Sequence, residues 1–580
     1  MKILGISCYY HDAAACLLDQ GKVVAAAQEE RFTRKKHDWE FPKRAIDYCL
    51  KEGGISVDQV DAVGFYDKPF IKFDRILQTY IATYPKGWRS FLEAIPLWLK
   101  KKIWMSDLIE KELKYKKKIY FGEHHLSHAA SSFYASGFEE AAILTADGVG
   151  EWTTTSIAQG KGLDIKILEE IHFPHSLGLL YSAFTYYLGF RVNSGEYKVM
   201  GLAPYGKPRF QNLISENLIN LKEDGSFKLN LKYFTFTHGL RMTGKRFEGL
   251  FGVPRRDPET KLEQIHFDLA ASIQKVTEEA MIRMARHTYE ITQSQRLCLA
   301  GGVALNCVAN GRILREGPFK EIFIQPAAGD AGGAYGVASF LSHAIFREPR
   351  VSKWESAFWG PAYSDEEVRQ VLNREGAVYQ ECQEGERVKE VARRIAEGKV
   401  VGWVEGRMEF GPRALGHRSI LADPRDPKMK DTVNLRIKFR ESFRPFAPAV
   451  LEEKCSEYFE LNQESPFMLL VAPVRQEKKV IPSVTHVDGS ARIQTINSKE
   501  DPAFYRLIEE FGRLSGVPVL INTSFNVRGE PIVCTPEEAW RCFMRTKMDC
   551  LVMNHFILDK EKQTRREEPP EAWLRSIPAD

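Results

Sequence analysis

No stretch of this sequence approaches the roughly 18 uncharged apolar residues that a membrane-spanning helix needs, so no such helix is expected and the protein should be soluble. CxxC pairs are also missing. The ten cysteines, from Cys8 to Cys550, are scattered with no even framework in a short segment, so a disulfide scaffold is excluded and they read as reduced core thiols of a cytoplasmic protein. An excess of one charge is lacking too: 81 Lys and Arg face 77 Asp and Glu, leaving +4, too little to argue for a nucleic-acid partner, so any anion site must be local. The opening MKILGIS lacks the long apolar region and cleavage site of a signal peptide and reads as a short buried strand. No tandem repeat at a short fixed period is present.

What is there is an ordinary globular composition, 44% hydrophobic and 27% charged, over 580 residues. One hydrophobic core does not keep growing over that length, so two domains are expected. KILGIS, KVVAAAQ, AVGFY, AAILTAD, LCLAGG and EIFIQP read as strands separated by helical patterns such as FPKRAIDYCLKEGG, an α/β layout. Residues of about 70 to 118 form a basic helical insertion (IPLWLKKKIW, IEKELKYKKK), read as a solvated amphipathic cover in preference to membrane docking. At FREPRVSKWESAFWGP the pattern breaks, and SDEEVRQVLNREG starts a helix with a Ser cap and an acidic first turn. The boundary is therefore placed near 350, giving domains 1–349 and 350–580. The Pro-containing end, EKQTRREEPPEAWLRSIPAD, reads as a loosely held tail.

Three segments in the first domain, each a strand followed by a tight turn, suggest a duplicated nucleotide cleft of the sugar-kinase, chaperone and actin kind. They are KILGISCYYHDAA, then AILTADGVGEWTTTSI with Gly148 and Gly150, and LCLAGGVALNCVANGRI with Gly301, Gly302 and Asn306. Glycines in the second and third let backbone approach phosphate, and the helix after the third presents free N–H groups. SGEYKVMGLAPYGKP, with Glu196 and Lys198, reads as a polar loop over the nucleotide, with a salt-bridged surface turn as the plain alternative. In EHHLSHAASSFYAS, His124 and His128 are four apart and share a helix face, while His125 points elsewhere. Asp147 and Asp330 stand at strand-to-glycine turns and supply carboxylates. Two His and two Asp suit Fe, Mn or Zn without choosing among them. His11, beside Asp12 after the first strand, is a candidate general base.

In the second domain Arg413, Arg418, Lys438, Arg440 and Arg444 recur among glycines and prolines, followed by Arg492 and by Asn522, Ser524, Asn526 and Arg528 after a strand. Guanidinium forks match phosphate oxygens two at a time, and short polar donors suit a planar amide. The plain alternative is an ion-pair network with Glu405, Glu409, Asp423 and Asp426.

HDAA, EERFTRKKHD, HHLSHAASSFYAS, SGEYKVMGLAPYG, AGGVALNC, EFGPRALGHRSILADPR, FRPFAP and NTSFN together resemble the O-carbamoyltransferases of the nodulation-protein-U and tobramycin type, across nearly the whole chain. The resemblance implies a duplicated actin-like (ASKHA) first domain, similar to the tRNA threonylcarbamoyl-transfer protein, and a YrdC-like α/β second domain. It implies that the second domain joins carbamoyl phosphate to ATP, giving carbamoyl adenylate and pyrophosphate. The first would then pass the carbamoyl group to a hydroxyl of a small-molecule acceptor. By the same resemblance His124, His128, Asp147 and Asp330 match metal ligands for one divalent ion, Fe(II) first, and His11 matches the base. Arg413, Lys438, Arg444, Arg492, Asn522 and Ser524 match residues holding carbamoyl phosphate and adenylate. ATP with its Mg counter-ion is the implied cofactor; no nucleic acid or membrane partner is expected, and a homodimer is left open. Two readings compete: a sugar kinase, which gives the cation cluster no task, and a non-enzymatic actin-like ATPase, which leaves the two histidines and aspartates unexplained.

Overall fold

The computed structural model describes residues 1–350 and 353–564. The expected tail falls largely on 565–580, outside the described residues. Two compact units are present. The first comprises Met1–Glu29 and His37–Trp354; the second comprises Glu30–Lys36 and the chain from Glu355.

The first unit contains one sheet topology twice. Strands β1 (Lys2–Ser7), β2 (Ala14–Asp19), β3 (Lys22–Gln28), β4 (Ala62–Phe65) and β5 (Ile119–Phe121) lie in the order β3-β2-β1-β4-β5. Strands β6 (Glu140–Ala146), β7 (Thr153–Lys161), β8 (Asp164–His172), β9 (Arg296–Ala300) and β10 (Glu321–Ile324) repeat it in the order β8-β7-β6-β9-β10. In each half the first three strands are antiparallel, and the fourth and fifth join parallel to the first. This duplication is the actin-like architecture expected from the sequence. The central strands read as unbroken apolar runs because helices cover both faces; from Ile3 to Ser7 every residue of β1 is buried.

Each fifth strand feeds a helix, His124–Ser136 in the first half and Ala331–Phe340 in the second. The second helix begins AGGAYG for a packing reason. A Cβ on Gly336 would lie 1.9 Å from the Ser127 carbonyl oxygen, so only glycine lets these two helices close on each other. The Cβ of an alanine at Gly5 would meet the Ala334 carbonyl in the same way, at 1.9 Å. Two equivalent helices are thereby pressed together across the sheets, and this brings their N-terminal residues to one place.

The insertion is helical, as the sequence indicates, with helices Pro69–Thr83, Trp88–Leu97 and Met105–Leu113 and a π-helical turn Trp98–Lys102. No helix among the described residues is long and apolar enough to cross a membrane.

The second unit is a mixed nine-stranded sheet with Val401–Val404, Arg418–Ala422, Val519–Ser524 and Ala447–Leu451 side by side near its centre. Trp403, Leu520, Phe504, Phe511 and Ile395 pack beneath it with the Glu384–Ala396 and Pro502–Ser515 helices. Ser364 caps the Asp365–Arg374 helix by a capping box with Glu367, with Asp365 and Glu366 in the acidic first turn.

Candidate functional site

His124 opens its helix and His128 follows one turn later, so both rings face one point, with their Nε2 atoms 3.1 Å apart. Asp147, just beyond β6, brings Oδ2 to 3.3 Å from His124 Nε2. Asp330, at the start of the equivalent helix, places Oδ1 3.8 Å from His124 and 3.7 Å from His128. All four are buried, and one donor atom from each lies within 4.8 Å of the others. Burial works against a charged His124, but the Asp147 hydrogen bond and the Asp330 and Asp147 charges raise its pKa. Burial would raise Asp147, and the facing imidazoles hold it well below the usual carboxylate range.

Neighbouring groups fix these donors. Glu151 accepts the His124 backbone N–H at 3.0 and 3.1 Å and the Lys68 N–H at 2.8 Å, filling the open helix end. The Gly302 N–H donates to Asp147 Oδ1 at 2.9 Å, and the Tyr66 hydroxyl to Asp330 Oδ2 at 3.3 Å. The ring Nδ1 atoms of His124 and His128 are buried without a hydrogen-bond partner among the described residues. Packing therefore orients both rings where a carboxylate commonly does so for metal-ligating imidazoles. A buried set of two imidazoles and two carboxylates fits a divalent transition ion. His125 is turned away, its Nδ1 3.1 Å from Ser156 Oγ.

His11 lies in the turn after β1, where Tyr9 and Asp12 both have left-handed backbone (φ 68° and 43°). Asp12 bridges two rings, 2.8 Å from His11 Nδ1 and 2.8 Å from His37 Nδ1. His11 Nε2 faces the Asn193 carbonyl at 2.8 Å. Burial lowers the pKa of His11, but the Asp12 charge and hydrogen bond outweigh it and raise it to about 10. For the role of base proposed from the sequence, the ring has first to give up this proton. Both ring nitrogens face acceptors, an arrangement that favours the protonated ring.

The nucleotide-loop residues divide. A Cβ on Gly148 would meet nothing nearer than the Tyr10 hydroxyl at 3.9 Å, so its surroundings are open to a ligand. Gly301, at φ 88°, is explained by backbone packing, because its Cβ would lie 2.3 Å from the Ala146 carbonyl oxygen. The glycine pair also leads into a 3-10 turn, Gly302–Leu305, not directly into the α-helix. That helix starts at Cys307, and the Asn306 side chain caps it by accepting the Ala309 N–H at 3.1 Å. The expected polar loop at Glu196 and Lys198 is instead the helix Glu196–Leu202. Glu196 accepts from Ser182 Oγ at 2.7 Å, and Lys198 is buried with its amine 5.4 Å from the Phe190 ring centre.

In the second unit Lys438 ends a π-helical turn, Asn434–Lys438, and is buried. Its amine donates to the Ser524 carbonyl (2.6 Å), Ser524 Oγ (3.2 Å) and Asn526 Oδ1 (2.6 Å). Burial, then the charges of Arg440 and Arg444, push its pKa well below the ordinary lysine value. Asn522, two residues before Ser524 and on the same sheet face, donates to Gln494 Oε1 at 2.7 Å. Its own Oδ1 is buried without a hydrogen-bond partner among the described residues. Arg492 precedes Gln494 by two residues on the strand Ser490–Ile496, which Ala447–Leu451 separates from Val519–Ser524, so strand alternation places it on that face too. Asn434 ties the arginine loop, accepting Arg440 Nε at 2.7 Å and donating to the Arg444 carbonyl at 3.0 Å. Arg413 lies in the Gly411–His417 loop, held by Glu409, whose Oε1 accepts the N–H groups of Leu415, His417 and Arg418 at 2.8, 2.8 and 3.0 Å.

Arg418 requires a correction. It is buried, and its guanidinium donates to the carbonyls of Cys534, Glu405, Gly406, His417 and Pro361. In this geometry it cross-links backbone, with most of its donors committed to carbonyls and not turned to a phosphate. The acidic residues weighed as its partners pair elsewhere, Glu405 with Arg387 and Asp423 with Arg425. Sequence reasoning missed Tyr66, Glu151, His37 and the segment Glu30–Lys36. Within the second unit Arg34 of that segment donates to the Ile532 and Pro531 carbonyls at 2.7 and 2.8 Å and pairs with Glu538 at 3.3 Å. The EERFTRKKHD motif was the available signal, but its placement in the second unit is a tertiary fact.

The family model "Carbamoyltransferase N-terminus" matches residues 2–339, and "Carbamoyltransferase C-terminus" matches residues 392–560. An uncharacterized protein of Synechocystis sp. is 52% identical over 100% of both chains. Nodulation protein NolNO of Sinorhizobium fredii is 41% identical over 98% of this chain and 81% of its own. An uncharacterized protein of Methanocaldococcus jannaschii is 32% identical over 97% of this chain and 100% of its own. With both family models matched in order, and with relatives this similar along nearly its whole length, the chain belongs to the carbamoyltransferase family of enzymes.

Proposed function

We propose that this carbamoyltransferase works in two steps, one on each unit, with ATP and carbamoyl phosphate as substrates and a hydroxyl compound as acceptor. In the second unit, of YrdC-like type, carbamoyl phosphate gives up its phosphate to water. The carbamate oxygen then attacks the α-phosphorus of ATP, so that carbamoyl adenylate forms and pyrophosphate leaves. Amide resonance makes a carbamoyl carbon a poor electrophile, and the adenylate keeps it reactive. Arg413, Arg444 and Arg492 absorb charge on phosphate oxygens, while Lys438, Ser524 and Asn522 provide the polar floor for the planar carbamoyl group. In the first unit the acceptor hydroxyl attacks the carbamoyl carbon and AMP departs.

His124, His128, Asp147 and Asp330 would hold one divalent ion, Fe(II), Mn or Zn. When bound, such an ion supplies Lewis-acid stabilisation of negative oxygen. If His11 takes the hydroxyl proton it must first lose its own, so transfer should accelerate as pH rises toward about 10.

The observation that carries this reading is that two chemically different sites, a buried N2O2 set and a Lys438-centred polar cluster, are built into separate compact units. A sugar kinase would use only the first. The test is carbamoyl-phosphate-dependent exchange of labelled pyrophosphate into ATP. Arg444→Ala should abolish exchange, whereas His128→Ala should spare exchange and stop transfer. Absence of exchange in the native protein, or equal loss of it in both variants, refutes two-step division.

A further inference from the structure

The outer face of the 69–118 insertion is not that of a solvated cover. Such a cover presents polar side chains to water. Here Ile81 (68% exposed), Tyr84 (79%), Trp88 (53%) and Leu92 (58%) stand in the open, joined by Phe70, Leu99 and Trp104. Trp88, Leu92, half-exposed Ile95 and Leu99 recur at helical spacing, so they form one stripe along the Trp88–Leu97 helix and into the turn after it. Tyr84 stands between this helix and Pro69–Thr83. Other exposed large apolar residues, such as Leu240, Ile291 and Leu514, are spread widely through the sequence, and single ones need no explanation.

The inner face is firmly attached, so the outward apolar stripe is not a detached helix. Lys72 pairs with Asp67 at 2.6 Å and stands 4.8 Å from the Tyr10 ring centre. Arg75 lies over Phe173 at 5.0 Å, and Lys102 donates to the Tyr9 carbonyl at 2.8 Å. Tyr80 and Phe91 pack edge to face between the two helices, 5.5 Å apart.

Charge selects the occupant. Residues 69–118 contain 12 Lys and Arg against 5 Asp and Glu, a net of +7 in a chain whose total is +4, so the rest carries −3. Lys86, Lys111, Lys114, Lys116, Lys117 and Lys118 are exposed. Tryptophan and tyrosine flanked by lysine is the composition that enters the headgroup region of a bilayer, where the ring is buried and the ammonium meets anionic lipid.

We infer that this insertion docks the protein on the surface of an anionic phospholipid bilayer, lying in the interface without crossing it. Membrane association was the less favoured sequence reading, and exposure of the aromatic residues reverses that preference. The inference is independent of the carbamoyl-adenylate step.

The test is co-sedimentation of the full chain with vesicles of phosphatidylcholine alone or mixed with phosphatidylglycerol. Binding to mixed vesicles, a blue shift of tryptophan emission, and weakening at high salt are expected. Trp88→Glu with Leu92→Glu should reduce the bound fraction more than about tenfold while leaving the melting temperature unchanged. Lys86, Lys111 and Lys116, all exposed, changed to Glu should do so through charge. No binding to mixed vesicles, equal binding to both vesicle types, or binding indifferent to both variants overturns the inference. So does an oligomer that dissociates in the Trp88→Glu, Leu92→Glu variant without any vesicle binding, which would assign the stripe to a second copy.

Discussion

The four-donor cluster makes a quantitative prediction about metal and stability. Adding an ion at 100 times its dissociation constant stabilises the folded protein by about 2.7 kcal/mol. The unit that carries His124, His128, Asp147 and Asp330 has about 350 residues, and at about 2.1 cal/mol/K per residue its unfolding entropy is about 0.7 kcal/mol/K. The expected rise in melting temperature is therefore about 4 °C if that unit melts alone, and about 2 °C if both units melt together. The perturbation is His128→Ala, which removes a nitrogen 3.1 Å from His124 Nε2. Deleting a buried ring destabilises by itself, so the quantity to compare is the difference between metal-loaded and chelator-treated protein for each form. Differential scanning calorimetry with Fe(II), Mn(II) or Zn(II) should show the increment in the native protein and less than half of it in the variant. An equal increment in both, or none with any of these ions in the native protein, refutes the assignment of these residues as an ion site.

Two further outcomes are expected. Asp12→Asn removes the charge that holds the His11 proton, so the His11 titration, followed by NMR of its ring protons, should fall from about 10 to near or below 6.5. The sign follows: a raised folded pKa stabilises fully below about 6.5 and is lost as pH climbs toward about 10, so the native protein should weaken across that window by a few kcal/mol and the variant much less. A native His11 that titrates below 7 would contradict the arrangement. Arg418→Lys retains the charge but cannot reach five carbonyls, so chemical denaturation should show a loss of about 2–4 kcal/mol, with the carbamoyl phosphate dependence of the folded protein unchanged. A change in that dependence without loss of stability would return Arg418 to the ligand site.

Local periodicity was legible in the amino-acid order. The strands of the first unit, the Ser364 cap and the shared face of His124 and His128 follow from repeats of two or 3.6 residues and from short-range capping, interactions that close within a few positions. Glycine turns after β6 and β9 were legible too, but the reason for Gly301 was not, because the Ala146 carbonyl that excludes a side chain there belongs to a strand 155 residues earlier. Arg413 and Arg418 look alike in sequence. Only folding surrounds Arg418 with five carbonyls, which commits its Nε and Nη1 donors and one of the two on Nη2. Likewise, residue types alone made His11 a candidate base, whereas only the fold sets Asp12 and the Asn193 carbonyl against its two ring nitrogens. Duplication of the sheet decided the rest. Pressing the two equivalent helices together at Gly336 carries Asp330 to histidines about 200 positions away, and the same long-range packing leaves Tyr84, Trp88 and Leu92 facing outward. What depends on neighbours in the chain can be read from the chain; what depends on which surfaces meet waits for the chain to close on itself.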